Sequence, residues 1–431
     1  MAPISESQVP TEEPVTQQSG ETERLAPPSF VAKEPAIVKK PAKPKKRRIG
    51  RALGIAAGVS LVSLLALWIA IQKVPWLGPA LADGARAVLG PEAVAWVEDQ
   101  AYTAQDAVNR WRYKDAAPKQ YWQEPVLPPP PVPVPVSGDG GAPAAAPTFP
   151  PPAAKPPVAE VAGKNDGVWI PIADDVHPNA PPVMAKTLIH PDAKRTFSAV
   201  AIVAMDLEKV KITSVAGTDE PASETVKRAQ RPGKIPEADH ASLIAAFNGG
   251  WQAIHGHFGM KVDGLVLLPP KDASCTLALY KDGSIAIRTW KSIADTDAAM
   301  QSYRQTPPCL VEQGVLNKDL NESTKSFGAA VDGGTVIRRS GIGLSKDKKI
   351  LFYGSGDGLT AQTLGQALAA AGAHDVAELD VNWAFPRYLF YGHKGGAPAA
   401  GSSLIPCVFK PNEYVGISFY RDYFYVTRTG P

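Results

Sequence analysis

At 431 residues the chain is long enough for two or three domains, but its 43 prolines are far above the usual share and most of them precede residue 182. The formal net charge of +3, with the basic excess concentrated in one N-terminal run, argues against a nucleic-acid-binding protein. Three cysteines, none of them in C-x-x-C spacing, are too few for a disulfide scaffold and do not indicate a zinc site.

The N-terminal part of the chain has the pattern of a membrane-anchored protein. Residues 1–48 are rich in Pro, Glu, Gln, Ser and Lys, which predicts a disordered tail. Residues 52–71 are uncharged and long enough for a helix to cross the roughly 30 Å hydrocarbon core of a bilayer. We therefore predict a transmembrane helix, in contact with the lipid bilayer, at 49–73. A signal peptide cleaved near 80–82 is the alternative, but that site lies well beyond the end of the apolar run.

Charge around this run predicts its orientation. Basic residues crowd its N-terminal flank, whereas the other flank has Lys73 and then no basic residue until Arg86. By the positive-inside rule, residues 1–48 stay in the cytoplasm and the C-terminal domain is periplasmic or extracellular. The cluster at 45–48 could also be a nuclear signal or a nucleic-acid patch, but its position beside a membrane span favours the topological role.

Two segments connect the span to the C-terminal domain. Within residues 74–116, apolar side chains at helical spacing predict a juxtamembrane amphipathic helix at about 91–114. Residues 117–164 are a Pro/Ala-rich linker, which predicts a semi-rigid extended spacer. A proline-motif ligand is an alternative for this segment, although most readers of such motifs are cytoplasmic.

From residue 165 to residue 431 the sequence is that of a folded domain. Short alternating segments bounded by turn residues predict strands, with Asp282–Gly283 as a hairpin turn, and helical spacing appears at 361–371. We predict an α+β fold: a mixed, mostly antiparallel β-sheet domain flanked by helices and preceded by the disordered tail, one transmembrane helix and the Pro-rich linker. The predicted strands are 198–205, 210–215, 276–280, 284–288, 341–345, 350–353, 376–380, 414–420 and 424–427.

Three motifs in this domain suggest chemistry. An apolar strand runs into Asn248-Gly249-Gly250, where glycines bring backbone amides close to a ligand. His255 and His257 follow and could bind a metal or an anion, or could equally be surface residues of a turn.

The second motif is a predicted strand, a glycine-rich turn at 354–358 and a helix start, an arrangement that suits an anion. A purely structural glycine cluster is the alternative. In the third motif, Asp380 ends a short apolar strand after a helix, where open sheets bind ligands. A carboxylate that caps a nearby turn is the alternative for Asp380.

Taken in order, these motifs resemble the phosphodiester glycosidase family, the domain of the lysosomal enzyme that uncovers mannose 6-phosphate. The resemblance spans about 195–425. It rests on 247–250 with Asp263-Gly264, on the Arg-Arg-Ser-Gly-Ile-Gly run at 338–343, and on 358–368 and 371–380. One departure is the loop at 381–387, where bulky side chains replace the family's usual Gly-Gly-Gly-Ser.

The resemblance implies a hydrolase that cleaves a sugar-phosphate diester, which the predicted span would anchor to the membrane and place at cell-envelope polysaccharide. Asp380 would be the acid/base or nucleophilic carboxylate, and Arg339 would hold the phosphate through its forked donors. A non-catalytic envelope protein that binds glycan through the same cleft is the alternative, favoured by the aromatic loop. No metal ligand set is predicted, and the cofactor is left open. The full set of predicted catalytic residues is Asp380, His255, His257 and Asp263. The predicted substrate-binding residues are Asn248, Gly249, Gly250, Arg339, Gly356, Asp357, Gly358, Asn382, Trp383 and Arg387.

The three cysteines allow at most one internal disulfide in an exported domain. Cys309 and Cys407 each follow a proline and precede an apolar run, so we predict that they pair and that Cys275 is a free, buried thiol.

Overall fold

The computed structural model describes residues 90–123, 149–320, 334–393 and 395–430, together with scattered positions between 55 and 89. Contacts divide the chain into two units, Met1–Ala66 and Leu67–Pro431, and the folded domain lies in the second. Within the described ranges, no helix is both long and apolar enough to cross a membrane. The predicted tail at 1–48 lies outside the described residues, as does most of the predicted span at 49–73.

The domain is built mainly from strands. The α-helices with described bounds are α1 (Pro91–Arg112) and α2 (Ala361–Ala370). Short 3-10 helices occur at Ala159–Val161, Arg228–Gln230, Glu237–Ser242, Ala253–His255, Trp290–Ser292 and Ala294–Ala299. The strands are β1 (Ile170–Ile172), β2 (Met184–Ile189), β3 (Val200–Asp206), β4 (Val210–Val215), β5 (Leu243–Asn248), β6 (Met260–Val262), β7 (Leu265–Leu268), β8 (Cys275–Tyr280), β9 (Ile285–Thr289), β10 (Met300–Thr306), β11 (Val311–Glu312), β12 (Val315–Leu316), β13 (Ile337–Ser345), β14 (Ile350–Leu359), β15 (Ala373–Val381), β16 (Tyr388–Gly392), β17 (Ala399–Ser403) and β18 (Tyr423–Arg428).

These strands form three sheets. The largest has eight strands in the order β1-β2-β3-β14-β13-β15-β11-β12, and two five-stranded sheets have the orders β7-β6-β10-β8-β9 and β17-β16-β5-β18-β4. Neighbouring strands in all three sheets run antiparallel; in the part of the chain that the structure describes, a parallel pairing occurs at the isolated bridge between Glu413 and Ile417. Largely antiparallel sheets with a few helices confirm the predicted α+β class.

The eight-stranded sheet has a separate core on each face. Side chains alternate across a strand, so Ala201 and Val203 of β3 face one way and Val200 and Ile202 face the other. The first face packs against both five-stranded sheets, and the second packs against α2. Strands of all three sheets therefore contribute to the core on the first face of the large sheet.

Glycines in the large sheet allow α2 to pack closely on it. A Cβ atom on Gly341 would lie 3.2 Å from Leu364 Cδ2, and one on Gly354 would lie 3.0 Å from Leu368 Cδ2. The predicted glycine-rich turn at 354–358 is therefore wrong: these residues continue β14 as far as Leu359. At Gly354 the helix above the strand leaves little room for a side chain, and at Gly356 a Cβ atom would lie 2.0 Å from the Ala199 carbonyl oxygen.

Most other predicted elements are confirmed. β4 matches its predicted range, β8 and β9 form the hairpin at Asp282–Gly283, and α2 ends one residue before its predicted end. The strand predicted at 414–420 is wrong, because this segment consists of turns and irregular chain whose aromatic rings pack edge-on or tilted against one another.

The predicted helix near residue 91 is confirmed, and it docks on the folded domain. Arg195 donates from Nε and Nη2 to the two carboxylate oxygens of Asp106, both at 2.7 Å. Thr335 Oγ1 donates to Asp99 at 2.8 Å. Trp111, part of the predicted apolar stripe, is instead exposed. Helix α1 therefore packs on the domain through the face that carries its acidic side chains.

Both described ends of the predicted spacer at 117–164 also contact the domain. Lys119 Nζ lies 2.8 Å from Asp357 Oδ2, and Trp169 Nε1 donates to the Pro152 carbonyl at 3.0 Å. Residues 124–148 lie outside the described part. The Pro-rich stretch therefore connects two segments that both contact the domain.

The predicted cysteine pairing is wrong. Cys275 and Cys309 form the disulfide, with their Cα atoms 4.7 Å apart, and Cys407 is the free thiol. The reason is strand pairing: β8 and β10 are antiparallel neighbours with Cys275 opposite Thr306, so the chain leaving β10 passes beside Cys275.

Candidate functional site

The candidate site lies where β5 of one sheet meets β15 of another. The backbone N–H of Asp380 donates to the Gly249 carbonyl at 3.0 Å, and Ser340 Oγ donates to the Asp380 carbonyl at 2.7 Å. Asn248 Nδ2 donates to Ser340 Oγ at 3.0 Å. The predicted Asn-Gly-Gly motif and the predicted carboxylate are therefore adjacent, as the sequence indicates.

A break in strand register sets the direction of the Asp380 side chain. Glu378 and Asp380 are two residues apart and would share one face of a regular strand. The register of β15 against β13 shifts between Arg339 and Gly341, a β-bulge that changes which way the following side chains point. The Asp380 carboxylate consequently contacts Arg421 beside the small sheets, while Glu378 pairs with Arg339 on the other face.

The Asp380 carboxylate is buried and hydrogen-bonded. Arg421 Nη2 lies 2.7 Å from its Oδ2, Asn382 Nδ2 lies 3.2 Å from the same atom, and the Val381 N–H donates to Oδ1 at 3.0 Å. The residue is 5% exposed. Burial raises the pKa of Asp380 to about 6, with the negative charge of Asp422 acting in the same direction and Arg421 opposing it. Such a carboxyl group can hold or release a proton near neutral pH.

A second ion pair lies directly behind the first. Arg304 Nε donates to Asp422 Oδ2 at 2.8 Å, and the Gly250 N–H donates to the same oxygen at 2.9 Å. We call Asp380, Arg421, Asp422 and Arg304 the paired-charge cluster. Its two carboxylates and two guanidinium groups balance each other, and all four side chains are buried.

Glycine is required at both positions of the motif. A Cβ atom on Gly249 would lie 2.0 Å from Asp422 Oδ2, and one on Gly250 would lie 2.7 Å from Arg304 Cζ. Their function in this structure is thus to let the backbone contact the paired-charge cluster.

The Asn248 side chain holds several strands together. Its Oδ1 accepts from Tyr353 OH at 2.8 Å and from the Arg387 N–H at 3.0 Å, while Nδ2 donates to Ser340. Each polar atom of the amide thus has a protein partner, so Asn248 positions the strands around the site.

The bulky loop at 382–387 folds over the site. Asn382 Oδ1 accepts from the backbone N–H groups of Ala384 and Phe385 at 2.8 and 2.6 Å, which forms a turn. Arg387 is ion-paired with Glu413, and this anchors the end of the loop. The Phe385 ring lies 4.4 Å from Arg421 Cζ. The loop therefore covers the guanidinium that holds Asp380.

The remaining loop residue, Trp383, is partly exposed. Its indole ring is therefore available to solvent beside the covered Asp380 site.

The other predicted arginine, Arg339, lies on the opposite face of β13 from Ser340. Its Nη1 is 2.6 Å from Glu378 Oε1, and its Nε donates to the Leu359 carbonyl at 3.1 Å. Burial raises the pKa of Glu378 in this pair, although Arg339 opposes the shift. A role for Arg339 in phosphate binding stays a prediction.

The second predicted motif is placed elsewhere. Asp357 is ion-paired with Arg338 at 2.6 Å and Lys119 at 2.8 Å. Although burial raises the pKa of Asp357, these two cations bring it down to about 2. The N-terminus of α2 is capped by Thr360, whose hydroxyl accepts from the Thr363 N–H at 3.1 Å. Gly356 and Gly358 therefore lie on a strand beside an ion pair.

The remaining predicted residues lie around other turns. Asp263 is exposed at the hairpin between β6 and β7 and accepts from Gln301 Nε2 at 2.9 Å. His255 ends a 3-10 helix, and His257 is exposed with a positive φ of 48°. The described residues contain no group of three side chains suited to a metal ion. Catalytic roles for His255, His257 and Asp263 stay predictions.

Three residues of the paired-charge cluster were missed by the sequence reasoning. Arg421 and Asp422 are adjacent opposite charges within an aromatic run, Phe419 to Phe424, and that context was a signal that they are buried. Arg304 gave no such signal, because β10 is mostly polar in sequence and therefore resembles an exposed strand.

Comparison with known proteins gives the class of this domain. Residues 241–380 match the sequence model of the phosphodiester glycosidase family. The match, about a third of the chain, starts just before β5 and ends on Asp380, so it contains both predicted motifs that the structure brings together. The resemblance to this family is confirmed over residues 241–380.

Among solved structures, the catalytic domain of zebrafish N-acetylglucosamine-1-phosphodiester α-N-acetylglucosaminidase, auto-inhibited by its pro-peptide, is 15% identical with a TM-score of 0.37. The alignment covers 61% of this chain and 88% of that one. A hypothetical protein from Synechocystis is 12% identical with a TM-score of 0.31, covering 58% and 65% of the two chains. Similarity at this level does not assign a function to this chain. No curated protein matches the chain significantly.

Proposed function

We propose that this domain is a hydrolase that cleaves a sugar-phosphate diester, with Asp380 as its general acid. The observation that carries this is the buried Asp380 carboxyl group, whose pKa of about 6 allows it to be protonated at mildly acidic to neutral pH. It lies at the end of the segment matched to the phosphodiester glycosidase family.

The paired-charge cluster supports this chemistry. Protonated Asp380 would donate its proton to the oxygen that leaves the sugar, and Arg421 would stabilise the carboxylate that results. Glycosidic cleavage generally uses a second carboxylate. Asp422 is our candidate, because its charge acts on Asp380 and the N–H of Gly250 binds it.

Substrate entry in this proposal requires movement of the loop at 382–387. Asp380 is nearly inaccessible, and Phe385 covers its partner Arg421. Trp383 is partly exposed on the same loop and offers a ring on which a sugar could stack. A glycan-binding protein without catalysis is the second candidate, favoured by this exposed ring beside a covered carboxylate.

The test is hydrolysis of a chromogenic sugar-phosphate diester by wild type and by Asp380→Asn, which keeps the volume and removes the acid. We expect turnover to fall by at least about 100-fold, the size typical of losing a general acid. Asp375→Asn is the matched control, since Asp375 is also buried and arginine-paired on β15 but lies near the start of the strand. It should keep turnover within about threefold even where stability falls.

The two candidate functions predict different results. Wild-type protein that is inert on a broad panel of such diesters, yet binds carbohydrate in a manner lost in Trp383→Ala, would replace the hydrolase with the binding protein. Equal turnover in wild type and Asp380→Asn would remove Asp380 from the mechanism.

We propose further that the enzyme is anchored by residues 49–73 and acts on cell-envelope glycans outside the cytoplasm. The charge asymmetry around that segment supports the orientation, and a disulfide between Cys275 and Cys309 suits an oxidising compartment. Protease added to intact cells should cleave within 120–163 and leave 1–48 protected, as read on a denaturing gel. A C-terminal domain resistant in intact cells but cleaved after lysis would contradict this orientation.

A further inference from the structure

Arg231 differs from the other buried arginines of the domain. Within the described ranges, the buried arginine side chains are Arg231, Arg304, Arg339, Arg387, Arg421 and Arg428. The other five each form an ion pair with a buried carboxylate. Arg231 donates from Nε to the Gly217 carbonyl, but its Nη2 is buried without a hydrogen-bond partner. Arg231 is therefore a buried cation that lacks a paired anion.

Such an arrangement is unfavourable in the folded protein by itself. A guanidinium group that leaves water without full hydrogen bonding loses solvation with no compensating interaction. Arg231 is 4% exposed, so bulk water does not supply the missing partner. Buried unsatisfied polar atoms are uncommon in native proteins and call for a specific explanation, of which a ligand is one.

The position of Arg231 connects it to the paired-charge cluster. Its acceptor residue, Gly217, lies directly against Arg421, because a Cβ atom there would be 2.3 Å from the Arg421 carbonyl carbon. Burial lowers the pKa of Arg231, and Asp422 is the carboxylate that opposes this most strongly. Arg231 therefore lies beside the stretch of chain that contains Arg421 and Asp422.

A second donor beside the cluster is also unsatisfied. Trp251 follows Gly250 directly, and its carbonyl accepts a hydrogen bond from Arg304. Its indole Nε1 is buried without a hydrogen-bond partner. Two buried donors near the paired-charge cluster, Arg231 Nη2 and Trp251 Nε1, therefore have no hydrogen-bond partner.

We propose that Arg231 is the phosphate-binding side chain of this site, with its Nη2 donating to a non-bridging oxygen of the substrate's phosphodiester. Charge supports the assignment: Arg304 and Arg421 are each ion-paired with a carboxylate, whereas Asp422, Glu220 and Asp219 act on Arg231 without forming an ion pair, and its Nη2 has no hydrogen-bond partner. A phosphodiester carries a single negative charge, and guanidinium donors match its oxygens in geometry. The inference rests on the proposed function, since the phosphodiester is the substrate named there.

The test measures binding of dimethyl phosphate, a phosphodiester monoanion, to the full-length protein by calorimetry at pH 7. Arg231→Gln should weaken binding by about 10- to 100-fold, the loss expected for one hydrogen bond between charged groups. Arg231→Lys keeps the positive charge but lacks the forked donors, so its affinity for dimethyl phosphate should lie between those of wild type and Arg231→Gln. The matched control is Arg228→Gln, three residues earlier and exposed in its pair with Asp219; it should stay within about twofold of wild type.

Thermal stability separates a ligand-binding arginine from a structural one. Since Arg231→Gln removes an unpaired buried charge, its melting temperature without ligand should equal or exceed that of wild type. Dimethyl phosphate should raise the melting temperature of wild type, and neutral trimethyl phosphate should not. A lower melting temperature in Arg231→Gln with unchanged dimethyl phosphate affinity would overturn the proposal, as would wild type that does not bind dimethyl phosphate.

The outcome is independent of the proposed catalytic activity. Binding that depends on Arg231, in a wild-type protein that hydrolyses no sugar-phosphate diester, would keep this anion site and refute the hydrolase. Hydrolysis by wild type with the same KM in Arg231→Gln would keep the hydrolase and refute this site.

Discussion

The pH dependence of folding stability tests the environment assigned to Asp380. Burial raises its pKa from the usual 3.8 to about 6, so between these values the folded protein holds a proton that the unfolded chain has lost. Stability contributed by this group is therefore greatest below pH 4 and falls as pH rises through 6. A shift of about two pKa units corresponds to about 3 kcal/mol of unfolding free energy.

The measurement is urea denaturation of wild type and Asp380→Asn at half-unit steps from pH 4 to pH 7.5. Subtracting the two curves cancels the other titrating groups, so the difference should change by about 2.5 kcal/mol over this interval, with wild type losing stability relative to the variant as pH rises. Asp357→Asn is the control with the opposite sign. Because two cations hold the pKa of Asp357 at about 2, its contribution is complete above pH 4 and is lost only at lower pH. Its difference curve should be flat over the same interval.

The direction in which the stability difference changes with pH shows whether burial or the ion pair with Arg421 dominates the pKa of Asp380. Arg421, 2.7 Å away, lowers the pKa of Asp380, and burial raises it. A wild type that gains stability over Asp380→Asn as pH rises would mean that the ion pair outweighs desolvation. In that case Asp380 would be ionised throughout and could not serve as a general acid at neutral pH.

Two other features give direct tests. Gly250→Ala places a Cβ atom 2.7 Å from Arg304 Cζ and should lower the unfolding free energy by more than about 2 kcal/mol. The control Gly401→Ala has open space around the new Cβ atom and should change the unfolding free energy by less than about 0.5 kcal/mol. Equal melting temperatures for the two variants would contradict the close contact at Gly250. Peptide mapping without reduction should find Cys275 bridged to Cys309, and Cys309→Ser should cost about 2–4 kcal/mol while Cys407→Ser costs little; a bridge to Cys407 would contradict the structure.

The predictions that succeeded depend on local patterns. Alternating apolar residues identified β4, and an Asp-Gly turn identified the hairpin of β8 and β9, because both signals are complete within a dozen residues. The strand β14 was misread as ending in a turn at Gly354. Gly354 makes room for a helix that packs above the strand and Gly356 makes room for the Ala199 carbonyl, and contacts of that kind are not visible in the strand's own sequence.

The candidate site divides in the same way. Asp380 and the Asn-Gly-Gly motif were predicted because each ends an apolar strand with a distinctive residue. The arginines that complete the site were not, since Arg421 is 41 residues from Asp380 and Arg304 is 118 residues from Asp422. The bulge that points Asp380 away from Glu378 depends on pairing with β13, which the residues of β15 alone do not show.

The assignments of Asp380 and Arg231 reinforce each other electrostatically. Arg304 and Arg421 are ion-paired, whereas Arg231 has a buried cationic donor without a hydrogen-bond partner, and that donor favours an anion. An anion bound beside the cluster would add negative charge near Asp380 and would raise the pKa of its carboxyl group further above 6. Substrate binding would thus favour the protonated form that a general acid needs, and a proton on Asp380 would favour the anion in return. Phosphate binding at Arg231 and protonation of Asp380 would therefore be coupled in this proposal.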